Sequence, residues 1–110
     1  MTARMDGTVM IYTTWPSAVE AEAAGRAIVA DGLAACVNIL PGMMSIYRWQ
    51  GEIEQAQETV MIFKTREDLS VAVTQAVRAR HPYEVPAVVV MTIVDGDPDY
   101  LDWITTETVG

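Results

Sequence analysis

The middle of the chain reads Tyr47-Arg48-Trp49-Gln50-Gly51-Glu52-Ile53-Glu54. Two short extended arms around a glycine are typical of a β-hairpin, because glycine reaches positive φ values at little cost. Strand-like and helix-like patterns lie on both sides of this stretch. The predicted fold is therefore arranged around this hairpin.

Before the hairpin, the sequence predicts a strand, a helix and a second strand. The first strand covers Val9–Thr14 and stops at Pro16, after which Ser17 begins a helix. The second strand is predicted to cover Leu33–Leu40 and to end at Pro41-Gly42, with residues 43–50 resuming an extended pattern. The apolar face of the helix is assigned to Val19, Ala23, Ala27 and Ala30.

After the hairpin, an apolar strand is predicted at Thr59–Phe63, followed by a helix with capping-box spacing at Thr65–Asp68. This helix must end at His81, because the following proline disfavours helical backbone in the residue before it. A strand at Ala87–Val94 and a short helix that begins at Asp97-Pro98 complete the chain.

This order of elements predicts an α+β fold of the ferredoxin-like, split-βαβ type, with an antiparallel sheet, an extended hairpin and a C-terminal helix. The whole chain, residues 1–110, is expected to form a single domain, since its length suits one core. Both crossover helices should cover one face of the sheet. The nearly continuous apolar strands indicate that the other face is buried as well, so another subunit should cover it.

Composition excludes several classes of partner. The net charge of −8 makes nucleic acids and anionic membranes poor partners. No apolar run approaches the roughly 20 residues of a transmembrane helix, and residues 1–8 lack the apolar segment of a secretory signal, which favours a cytoplasmic location. A single Cys and a single His cannot supply a structural zinc site.

Six motifs occur in order at residues 33–39, 41–42, 45–51, 63–65, 81–86 and 99–104. Through them the chain resembles the CutA divalent-cation tolerance family, from about Val9 to Ile104. The resemblance implies a ferredoxin-like fold, a homotrimer, a cytoplasmic or organellar setting, and association with copper and other divalent cations. No catalytic triad, phosphate-binding loop or dinucleotide motif is visible, so the chain is not expected to be an enzyme.

His81 is the candidate metal ligand, because imidazole is the commonest metal-binding side chain. The family resemblance places proposed copper ligands at three positions, which here are Thr13, Arg80 and His81. With a hydroxyl and a guanidinium at two of them, copper or another divalent cation should bind weakly. The alternative role of His81 is structural, at the end of a helix before Pro82. Cys36, within an apolar strand, is expected to pack as a small hydrophobic residue.

A second candidate site is an intersubunit pocket. Glu58 and Lys64 lie six residues apart on one strand and should share a face. They form either an ion pair between subunits with aromatic packing around it, or part of a small ligand pocket at the trimer cleft. The chain is thus predicted to be a CutA-like homotrimer that binds divalent cations weakly. The alternative is a non-enzymatic signalling or scaffold trimer that binds a small ligand in this cleft. The predicted pocket residues are Tyr47, Trp49, Glu58, Lys64 and Tyr83.

Overall fold

The computed structural model describes residues 7–109 and contains, over that range, four strands and three α-helices. The terminal residues 1–6 and 110, which the single-domain prediction includes, lie outside the described range. A 3₁₀ turn at Glu67–Leu69 precedes the second helix. In chain order the elements are β1 (Thr8–Trp15), α1 (Ala18–Ala30), β2 (Cys36–Trp49), β3 (Glu52–Arg66), α2 (Ser70–Arg80), β4 (Val88–Thr92) and α3 (Pro98–Thr106).

The strands form one antiparallel sheet in the order β2-β3-β1-β4. β1 pairs with β3 from Thr8↔Arg66 to Trp15↔Thr59, and its other edge pairs with β4. Each helical crossover therefore joins two strands that are separated by a third one. This interleaving confirms the predicted antiparallel α+β sheet and its connectivity.

The hairpin between β2 and β3 is confirmed, and it is longer than predicted. Pairing runs to Trp49↔Glu52, and the two turn residues, Gln50 and Gly51, have φ values of 50° and 84°. Positive φ at both positions is the requirement of a type I′ turn, whose twist matches that of the strands.

The predicted end of β2 at Pro41-Gly42 is wrong. β2 continues through this dipeptide to Trp49, with a shift of register between Leu40 and Met43. β2 lies at the sheet edge, where a missing proline N–H costs no ladder bond, and Gly42 adopts a φ of 82°. The two residues thus form an irregularity within one strand.

The core lies between the two crossover helices and one face of the sheet, as predicted. The face predicted for α1 is wrong, because Val19 is 77% exposed and the buried residues are Ala21, Ala24, Gly25 and Ile28. A Cβ on Gly25 would lie 2.7 Å from Met61 Sδ, so glycine allows the closest approach of α1 to the sheet.

The start of α2 also differs from its prediction. Thr65 lies in β3, where its hydroxyl donates to the Leu33 carbonyl at 2.7 Å, and α2 begins at Ser70 with no side-chain cap. It ends at Arg80, one residue before the predicted His81, which has extended backbone before Pro82. α3 begins as predicted, with the Asp97 carboxylate accepting from the Tyr100 amide at 3.0 Å.

The sheet face opposite α1 and α2 is only partly covered. Tyr100 of α3 contacts Lys64 there, but Val89 and Met91, which lie on this face of the edge strand β4, are exposed. The expected burial of both faces is therefore not achieved within one chain. Among residues 7–109, no helix has the length and apolar content to span a bilayer.

Candidate functional site

His81 is held at the end of α2 by contacts on every side of its ring. Nε2 lies 2.7 Å from the Thr14 carbonyl, and Nδ1 accepts a hydrogen bond from the Tyr83 amide at 3.1 Å. These partners require a neutral ring with its proton on Nε2. Trp15 and Tyr83 lie against the ring, with centroid distances of 4.3 and 4.7 Å. Metal ligation by His81 would therefore require the loss of one of these hydrogen bonds.

The other two positions implied by the resemblance do not fit a copper site. Thr13 is fully buried; its hydroxyl donates to the Met61 carbonyl at 2.8 Å and accepts from the Trp15 indole at 2.7 Å. Arg80 is an exposed cation. Within the described part of the chain, no group of three His, Cys, Asp or Glu residues lies close enough together to hold a metal ion.

A pocket of about 730 Å³ lies on the side of the sheet opposite the core. Tyr12 and Thr14 reach it from β1, because they alternate with the buried Ile11, Thr13 and Trp15 along the strand. Glu58 lines it from β3, and the segment that follows His81 closes one side. Its size is within the range of small-molecule sites.

The pocket brings together four of the five predicted pocket residues: Tyr47, Trp49, Glu58 and Tyr83. Lys64 is not among them. It shares the strand face of Glu58 as predicted, but six residues of strand separate the two by roughly 20 Å. Lys64 donates instead to the Tyr100 hydroxyl at 3.0 Å, and its ammonium lies 5.3 Å from the centroid of that ring.

Tyr83 and Glu58 interact inside the pocket. The Tyr83 hydroxyl donates to Glu58 Oε2 at 3.4 Å. Burial raises the pKa of Tyr83 above its usual range, and the nearby Glu58 carboxylate raises that pKa further because it disfavours a second negative charge. The pKa of Lys64 is also raised, chiefly by its hydrogen bond to Tyr100.

Sequence reasoning missed eight of the twelve residues that line the pocket. A period of two along β1 could have identified Tyr12 and Thr14 as facing away from the core. No local pattern indicated the contribution of the loop after Tyr83. The residues missed are Tyr12, Thr14, Met44, Ser45, Ile46, Glu84, Val85 and Ala87.

Fold and site together define a small α+β protein with a four-stranded antiparallel sheet, a long hairpin and an aromatic pocket on the open sheet face. The family model described as "CutA1 divalent ion tolerance protein" matches residues 9–107. The chain belongs to this family, as the sequence motifs predicted.

Solved structures and curated proteins agree with this assignment. The chain is 43% identical over 99 residues to the divalent-cation tolerance protein CutA of Thermus thermophilus, covering 90% of this chain and 96% of that protein. A solved structure of that organism's protein superposes with a TM-score of 0.90 at 41% identity, covering 93% and 99% of the two chains. CutA from Xylella fastidiosa gives a TM-score of 0.91 at 40% identity, covering 94% and 99%.

Some relatives are longer proteins from different compartments. The chain spans 63% of the chloroplastic CutA 1 of Oryza sativa and 56% of the mouse protein CutA. A structure from Archaeoglobus fulgidus carries the description of a periplasmic divalent cation tolerance protein. Relatives therefore include both chloroplastic and periplasmic proteins.

Proposed function

We propose that this CutA protein acts as a homotrimer in divalent-cation tolerance, with its aromatic pocket at the boundary between subunits. The observation that supports assembly is the apolar surface left on one chain. Ile46 and Ile53 of the β2-β3 hairpin are 66% and 70% exposed, and Trp49 at its tip is 48% exposed. Ile46 and Ile53 share one face of the hairpin and Trp49 lies on the other, so apolar side chains are exposed on both faces. Exposed apolar surface of this extent is typical of an interaction site.

The shape of the chain supports the same proposal. Its solvent-accessible surface is 6841 Å², whereas a compact monomer of this mass has about 6,000 Å². β4 lies at the edge of the sheet that residues 7–109 form, and within that range no strand pairs with its outer side, which a second strand can occupy. The extended hairpin and this open edge give each copy two surfaces for its neighbours.

Light scattering tests the assembly. We expect a mass three times the 12.1 kDa of one chain at micromolar concentration, and no dissociation on tenfold dilution. A stable monomer would refute the homotrimer. A stable dimer would keep the apolar interface but refute the threefold arrangement.

Divalent cations are proposed to bind weakly, through exposed carboxylates. The net charge of −8 attracts cations, and a tighter site would need ligands from more than one copy. A high-affinity copper site at Thr13, Arg80 and His81 does not fit the contacts of these residues. Calorimetry with Cu(II) should therefore give the same weak isotherm for the parent and for His81→Ala. A loss of heat only in the variant would instead identify His81 as the ligand.

A second candidate function is the binding of a small ligand in the cleft by a non-enzymatic signalling or scaffold trimer. The pocket of about 730 Å³ supports it. A thermal-shift screen with nucleotides, small acids and amines should give a shift for one class. A screen in which only metal ions shift the melting temperature would count against this function. A cytoplasmic location stays a proposal; the free thiol of Cys36 is compatible with a reducing compartment.

A further inference from the structure

The charged groups that line the pocket are all acidic. Glu58 and Glu84 contribute carboxylates, and neither Lys nor Arg is among the described residues of the lining. Lys64, the one cation predicted for the site, is engaged with Tyr100 roughly 20 Å along β3. An anionic ligand would therefore meet two negative charges and no positive partner.

Aromatic side chains form much of the remaining wall. Tyr12, Tyr47, Trp49 and Tyr83 all line the pocket. The face of an aromatic ring carries negative potential and attracts cations, with Trp the strongest and Tyr next. Apolar residues, including Val85 and Ala87, line another part of the pocket. Carboxylates, aromatic faces and apolar surface are the combination that recognises a cation with a hydrocarbon body.

We propose that this pocket binds an organic ammonium ion, with Glu58 and Glu84 balancing its charge and the aromatic side chains contacting its body. This inference deepens the small-ligand function proposed above and rests on it. It does not depend on divalent-cation binding.

A bare divalent metal ion suits the pocket less well. Ca²⁺ takes six to eight oxygen ligands, and Mg²⁺ gives up its hydration water reluctantly. Both ions therefore need a polar site. The pocket offers two carboxylates, and no cluster of three metal-binding side chains occurs among residues 7–109. An ammonium ion carrying alkyl or aryl groups is more weakly hydrated and can use the apolar lining.

Glu58 is the better placed of the two acids. It is half-buried, and the Tyr83 hydroxyl donates to it from the opposite wall. Partial burial strengthens the attraction between a carboxylate and a cation, because water screens the pair less. Replacing Glu58 by Gln should therefore weaken binding more than replacing the exposed Glu84.

Three probes that share a benzene ring and differ in charge test the proposal: benzyltrimethylammonium, benzyl alcohol and benzoate. Titration calorimetry, with ligand-observed NMR for weak binding, should show benzyltrimethylammonium binding at one site per chain. Benzyl alcohol should bind more weakly and benzoate not at all. Equal binding of the cation and the alcohol, or tighter binding of benzoate, would overturn the proposal.

Variants locate the site. Glu58→Gln should weaken benzyltrimethylammonium binding about two- to fivefold, and Glu58→Gln with Glu84→Gln by more. Trp49→Leu should weaken it while keeping an apolar wall. Glu107→Gln is the matched control, because Glu107 is exposed at the end of α3 and does not line the pocket. Equal weakening in the control would show that only overall charge matters, and would overturn the assignment of the site.

Light scattering on the same samples separates this inference from the assembly. A trimer that binds none of the probes would mean that a second copy fills the pocket, and the ammonium site would be wrong while the trimer stands. A monomer that binds the cation through Glu58 would retain the site and refute the intersubunit location.

Discussion

At the residue scale, the contact between Tyr83 and Glu58 affects the pKa of the Tyr83 hydroxyl. Burial and the Glu58 charge both raise the pKa of Tyr83. In Glu58→Gln the charge is lost while the burial stays, so the pKa of Tyr83 should fall but remain above its ordinary value.

An alkaline absorbance titration measures this pKa. The curve of Tyr83→Phe is subtracted from that of the parent, and the same subtraction is made in the Glu58→Gln background. An unchanged Tyr83 titration in Glu58→Gln would contradict the contact.

Stability should also fall at high pH. The pKa values of Tyr83 and Lys64 are both raised from ordinary values of 10.0 and 10.5, so the folded chain keeps these protons at a pH where the unfolded chain releases them. The stabilisation is fully present below pH 10 and is lost as the pH rises through the folded-state values. Urea unfolding between pH 9 and 11 should show a smaller loss of stability in Tyr83→Phe than in the parent.

His81 is expected to matter for stability. His81→Ala removes two hydrogen bonds and the packing of the ring against Trp15. The Thr14 carbonyl loses the hydrogen bond that it accepts from the His81 ring. The free energy of unfolding should fall by about 2 kcal/mol or more. His81→Phe keeps the ring packing and loses only the hydrogen bonds, so its free energy of unfolding should fall less than that of His81→Ala. A His81→Ala protein as stable as the parent by urea unfolding would refute the structural role.

At the element scale, the hairpin turn offers a stabilising change. Gln50 has a φ of 50°, which strains an ordinary L residue and suits Asn. Gln50→Asn should therefore raise the free energy of unfolding by about 0.5 kcal/mol. Gly51→Ala should lower it through backbone strain alone, since no heavy atom lies within 4 Å of an added Cβ. Thermal unfolding of the two variants should shift in opposite directions.

The elements also show where local patterns mislead. The small residues of α1 give several plausible apolar faces, and only the close approach at Gly25 to Met61 selects one. Pro41-Gly42 is a turn signal in isolation, but an edge strand tolerates it. Both errors arise because the neighbouring strand or helix, and not the local sequence, decides the outcome.

At the scale of the whole molecule, the hairpin is predicted to hold the assembly together. Ile53→Glu places a charge on its exposed apolar surface and should dissociate the trimer or weaken it at least tenfold, because desolvating a charge at an interface is costly. Trp49→Ala should weaken assembly as well.

Val19→Glu provides the matched control for these variants. Val19 is the most exposed apolar residue of α1, outside the hairpin and β4, so its replacement should leave the assembly intact. Sedimentation velocity compares the three proteins. Dissociation by Val19→Glu to the same extent as by Ile53→Glu would contradict an interface at the hairpin.

The sequence by itself determined the order of elements, the hairpin around Gly51, the end of α2 before Pro82 and the cap of α3 at Asp97, because each depends on neighbouring residues. It also determined the family, through motifs spread over most of the chain. Only the tertiary structure decided which face of α1 is buried, that His81 has both ring nitrogens engaged, and that Lys64 stays apart from the pocket. These depend on the register and distance between strands remote in sequence, which local periodicity does not specify.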